Sequence, residues 1–199
     1  MLNVVLTPIL VTLLVGTFVW YTRYVLPWNE KRKDLVRLSD RFLKFFPTFN
    51  TWAPVNLLDH GCKIYYILHI VYWQTVEFDL AALTWILMIN TRCLMIFLCP
   101  LKVLPHAAPL HDPVQRLALV NIQPFVHDLF FSGHVSACVT MGLTASVHPE
   151  YFFASAAAIT VLMFFSKVHY TIDLMVAPYV AWGSYCMAQA AIPVLSRFL

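Results

Sequence analysis

The chain has 199 residues, of which 60% are hydrophobic and only 12% are Asp, Glu, Lys or Arg, leaving a formal net charge of +3. That much apolar surface exceeds what a soluble domain of this length buries, so the composition argues against a water-soluble enzyme and for a membrane domain. The small charge argues against a nucleic-acid partner, because seven of the thirteen Lys and Arg lie between Arg23 and Lys44, a pattern suited to anionic lipid headgroups.

A spanning helix needs roughly 20 predominantly apolar residues, and such windows fall near residues 2–22, 54–76, 79–101, 130–148, 151–168 and 171–194. The expected fold class is therefore an all-α integral membrane bundle of about six transmembrane helices, forming one multi-pass membrane domain over residues 1–199. The first segment lacks a positive residue ahead of its apolar run and is long enough to span, so it reads as a retained helix, not a secretory signal. Residues 34–46 place Leu35, Leu38, Phe42 and Phe45 at spacings of three and four, with Arg37, Arg41 and Lys44 on other faces. This pattern predicts an amphipathic helix lying in the membrane interface.

The second apolar segment is the most polar of the six, because it contains Lys63 and His69. Residues 100–128 contain Pro100, Pro105, Pro109, Pro113 and Pro124, which no continuous helix tolerates, so a functional loop is expected there. The five cysteines, Cys62, Cys93, Cys99, Cys138 and Cys186, form no CxxC pair and read as small core residues.

Ionisable groups within or beside spanning segments are costly and mark functional sites. Three stand out: His134, His169 and Asp173. His169 and Asp173 are four apart, which on a helix places them one turn from each other, where a carboxylate can fix one ring nitrogen and leave the other as a nucleophile. Ser132 is placed to cap the fourth helix, so that the amides beginning at Gly133 can hold a phosphate oxygen. His134 would then lie in the first turn, placed to protonate a departing alkoxide. Asp128, just ahead of this run, is a further candidate. His60, His69, His106, His111 and His148 are scattered without the HxxxH or HxxHH spacing of a di-iron enzyme.

The sequence FSGHV at Phe131 to Val135, followed about thirty-five residues later by HYTIDL at His169 to Leu174, resembles the paired histidine motifs of the sphingomyelin synthase-like branch of the type 2 phosphatidic acid phosphatase superfamily. The Arg92-Cys93 pair and the HDP and HDLFF runs of the proline-rich loop add to the likeness, which covers roughly residues 88–186. It implies a phosphatidic acid phosphatase type 2-like helical bundle whose catalytic core occupies about residues 79–195. It also implies a lipid headgroup phosphotransferase in which His169 attacks phosphorus to form a phosphohistidine, Asp173 orients it and His134 protonates the leaving alcohol. The implied partners are a phospholipid donor and a lipid-alcohol acceptor such as ceramide or diacylglycerol. No cofactor and no metal is expected.

Phosphatases of the superfamily carry an Arg six residues before the second histidine, where this chain has Met163. The phosphate charge must then be met by other cations, and Arg92, Lys167 and Lys102 are the candidates. Tyr170, Tyr179, Phe130, Phe131 and Trp182 are candidates to enclose a quaternary ammonium headgroup. Two alternatives stand beside the transferase: a lipid phosphate phosphatase using water, and a non-catalytic lipid-binding membrane protein. His134 opens the fourth segment and His169 follows the fifth, so an even number of crossings puts both on one face.

Overall fold

The computed structural model describes residues 5–72, 77–108, 127 and 129–198. Among them are six helices at the places expected: α1 (Leu6–Glu30), α2 (Trp52–Val71), α3 (Phe78–Leu98), α4 (Gly133–Thr144), α5 (Pro149–Ser166) and α6 (Thr171–Phe198). Three of these, α1, α3 and α5, are long and apolar enough to cross a membrane, which makes the chain a multi-pass membrane protein. α2 and α6 have the length, but their polar residues dilute them. α4 has twelve residues and a rise of about 18 Å, short of the roughly 30 Å hydrocarbon core.

α1 contains a π-helical turn over Tyr21–Val25. Pro27 follows it, and a proline inside a helix donates no amide and crowds the carbonyl four residues earlier, so the widened turn accommodates it. α5 begins with Pro149 in its first turn, where a missing N–H costs nothing, and ends at Lys167 in the left-handed conformation, with φ 53°.

The bundle is built around α4, nine of whose twelve residues are buried. It packs against α2, α3, α5 and α6, while α1 lies on α3, α2 on α5 and α3 on α6. Small residues permit this close approach: a methyl group at Gly142 would stand 2.9 Å from the Phe153 ring. Outward faces of α1 and α5 present Leu13, Val15, Phe18 and Val161 to the surroundings, an apolar exterior that suits lipid.

Chain direction alternates, so one end of the bundle gathers the end of α1, the start of α2, the end of α3, the start of α4, the end of α5 and the start of α6. Connections there are tied by hydrogen bonds. The Phe49 amide donates to the Phe165 carbonyl, that of Ala108 to Ser166 and that of Ser132 to Asp173.

The interfacial helix expected over 34–46 is not formed. Val36 instead pairs as an isolated bridge with Leu101, its amide donating to Pro100 O at 2.7 Å and its carbonyl accepting from Lys102 N at 2.8 Å. Only Phe42–Phe45 turns, as a 3-10 helix. Asp40 Oδ1 accepts the Phe42 and Leu43 amides and the Thr171 hydroxyl, while Oδ2 accepts the Thr171 amide at 2.6 Å. The backbone and carboxylate groups that a helix needed are thus committed to the loops beside it, and tertiary pairing outweighs an amphipathic pattern of modest propensity.

Candidate active site

Four candidates meet at the start of α4. Ser132 caps the helix as expected, its Oγ accepting the Val135 amide at 3.4 Å. Ahead of it, Phe130 and Phe131 both adopt left-handed backbone conformations, with φ 72° and 53°, a strained turn of the kind that clusters at functional positions. The turn aims the Phe131 carbonyl at Arg92, whose Nη1 donates to it.

Arg92 does not snorkel to an interface; it is 6% exposed. Its Nε donates to Tyr21 Oη at 2.7 Å and its Cζ lies 5.2 Å from the Phe131 ring centroid. A methyl group at Gly133 would lie 3.4 Å from this guanidinium, so the cation sits in van der Waals reach of the first residue of α4. Positive charge from Arg92 and the first amides of the helix therefore share one small volume.

His134 follows in the first turn of α4 and is half-buried. The titratable groups close enough to act on its ring are Asp59 and Lys63 of α2, His169, and Arg92. Both histidines therefore stand at the same end of the bundle and within electrostatic range of each other.

His169 is buried in the bend between α5 and α6, two residues ahead of the helix, so the expectation that it shares a helix with Asp173 is corrected. Its Nδ1 lies 3.5 Å from Asp173 Oδ2, ion-pair distance without hydrogen-bond geometry, and has no hydrogen-bond partner among the described residues. Asp173 Oδ2 accepts the Tyr170 amide at 3.0 Å. Asp173 therefore has two duties: it caps the start of α6 in the manner of a capping-box acid, and it backs the imidazole.

Tyr170 is placed differently from the expectation of a substrate contact. Its hydroxyl donates to Lys102 O at 2.7 Å and accepts from the Leu38 amide at 3.2 Å, which staples both loop segments to α6. Burial pushes its pKa up, keeping the phenol a donor. The expected aromatic enclosure does not assemble either: Phe131 is packed beneath Arg92, while Tyr179 and Trp182 are exposed on the outside of α6. Lys167 is half-buried at the C-cap of α5, two residues before His169, and Lys102 is exposed. Asp128 lies outside the described residues.

Two further ionisable groups are held in pairs. His127 is clamped by Glu30, which accepts its backbone amide at 2.6 Å and pairs with its Nδ1 at 2.7 Å, while Asn29 bonds its carbonyl. Asp59 is fully buried on α2, paired with Lys63 at 2.5 Å. A signal for the second existed, because an Asp and a Lys four apart inside an apolar segment are costly unless they serve a site.

An apolar cavity of about 360 Å³ lies between α1, α2 and α3, lined among others by Leu14, Phe18, Tyr66, Trp85 and Ile89. Its lining on α3 runs from Phe78 to Ile89, the last of these one turn before Arg92. Compared with known proteins, the chain matches no family model, no curated protein and no solved structure.

Proposed function

We propose that this chain is a membrane lipid headgroup phosphotransferase that works through a phosphohistidine, in the manner of the sphingomyelin synthase-like enzymes its motifs resemble. One observation carries the reading: two imidazoles from separate segments reach the same end of the bundle, within range of a buried Arg92 set against the start of α4.

The phosphate of a phospholipid would lie against Arg92 and the first amides of α4, with Ser132 fixing that helix end. His169, with Asp173 behind its Nδ1, attacks phosphorus through its other nitrogen. The bond from phosphorus to the diacylglycerol oxygen breaks as N–P forms, and His134 gives its proton to the departing alkoxide. In the second half, the hydroxyl of a lipid alcohol loses its proton to His134 and attacks phosphorus. The N–P bond breaks, His169 is restored, and the headgroup phosphate is now an ester of the acceptor. Lys167 adds positive charge nearby, and the apolar cavity suits one acyl chain of a bound lipid.

The test incubates purified protein with headgroup-labelled phosphatidylcholine and phosphatidylethanolamine, with and without ceramide or diacylglycerol. Labelled new phospholipid that depends on the acceptor is the expected result. Release of a water-soluble phospho-headgroup regardless of acceptor would make the protein a hydrolase, and no turnover of any phospholipid would remove the enzymatic reading.

A further inference from the structure

α2 and α4 both run inward from the site end, and facing residues fix their register. Deepest, the hydroxyls of Tyr66 and Thr144 are bonded to each other. Nearer the site, Cys62 and Cys138 are buried in one core cluster. One further turn toward the site end carries Asp59 on α2 and His134 on α4, so the two residues stand at neighbouring levels of packed helices.

Asp59 is 0% exposed. Its Oδ2 is bonded to Lys63 Nζ at 2.5 Å and lies 3.7 Å from His60 Nδ1, while Oδ1 is buried without a hydrogen-bond partner among the described residues. A buried carboxylate oxygen left unpaired is expensive unless a neighbouring cation uses it. Lys63 satisfies one oxygen only, and its side chain is 44% exposed, directed away from the core.

We propose that Asp59 is the positioning carboxylate of His134, stabilising the imidazolium that the leaving alkoxide requires. The inference rests on the transferase reading for its chemistry. The other groups whose charge acts on the ring are Lys63 from α2, Arg92 from α3 and His169 ahead of α6. Lys167 is the titratable group of α5 at this end, and Asp173 serves His169. Those acting on His134 are cations or become cations, and each opposes a positive charge on its ring. Asp59 is the anion set against them. It takes no proton in the reaction; the proton moves only between His134 and the substrate oxygens.

The experiment measures two quantities in the full-length protein for the parent, Asp59→Asn, Asp59→Glu and Lys63→Gln. One is the alkaline limb of the kcat/KM profile for phospholipid. The other is the pH midpoint of His134 labelling by diethylpyrocarbonate, mapped by peptide mass spectrometry, which needs no activity. Asp59→Asn is expected to move both toward lower pH by about one unit or more, a roughly tenfold loss of activity on that limb. Asp59→Glu restores the parent's midpoint, and Lys63→Gln moves it the opposite way, a sign change that a purely structural Asp59–Lys63 pair would not produce. If Asp59→Asn does not fold, the Lys63→Gln shift decides. Unchanged midpoints in the variants that fold would overturn the inference. A parent inactive on every phospholipid would instead overturn the proposed function, and the labelling midpoint would still report the Asp59–His134 coupling.

Discussion

Tyr21 and Arg92 are joined by a 2.7 Å hydrogen bond from the guanidinium Nε to the phenol oxygen. Tyr21 begins the π-helical turn of α1, so the local widening that accommodates Pro27 also supplies the group that fixes the buried cation. The remaining edge of the guanidinium faces Phe131 and Gly133.

Removing that contact tests the placement. Tyr21→Phe leaves a buried N–H of Arg92 without this acceptor and is expected to destabilise the protein by about 1–3 kcal/mol. Arg92→Lys, which offers a point charge in place of a fork, is expected to lower kcat/KM by roughly 100-fold. Thermal denaturation in detergent and steady-state transfer kinetics read the two effects, and a fully active Arg92→Lys protein would remove Arg92 from phosphate binding.

His169→Ala is expected to abolish transfer while leaving the melting temperature near that of the parent. Trapping the parent with labelled phospholipid in the absence of acceptor is expected to give an acid-labile, base-stable adduct on His169. An adduct mapped to any other residue reassigns the nucleophile.

Asp173→Ala removes both duties of that side chain. Loss of the acceptor for the Tyr170 amide is expected to cost about 1 kcal/mol of stability, and loss of support for His169 lowers kcat. Asp173→Asn, whose amide oxygen can still accept from Tyr170, is expected to recover stability without recovering rate; recovery of both would make the residue structural alone.

Asp40→Ala is expected to cost about 2 kcal/mol, because its carboxylate serves the Phe42, Leu43 and Thr171 amides and the Thr171 hydroxyl together. Tyr170→Phe, which removes the bonds to Lys102 and Leu38, is expected to lower stability by about 1–2 kcal/mol. A higher KM for phospholipid at unchanged stability would return Tyr170 to substrate binding.

The amino-acid order alone determined that the chain is helical and built for a membrane, because runs of apolar residues near 20 long have few other stable outcomes. It also determined the cap at Ser132 and the positions of His134 and His169, which follow from local pattern. What it misplaced depends on long-range partners. Residues 34–46 have an amphipathic period, yet Asp40 and Val36 find partners at Thr171 and Leu101, more than sixty residues away. Asp59 reads locally as an i,i+4 partner of Lys63, and only the packing of α2 against α4 brings its charge to bear on His134. Tyr170 sits inside a motif, but packing turned its hydroxyl toward two backbone groups. Helix formation is a matter of neighbours in sequence, whereas the surroundings of a buried charge are fixed by whichever segments the bundle brings against it, and that the tertiary structure alone decides.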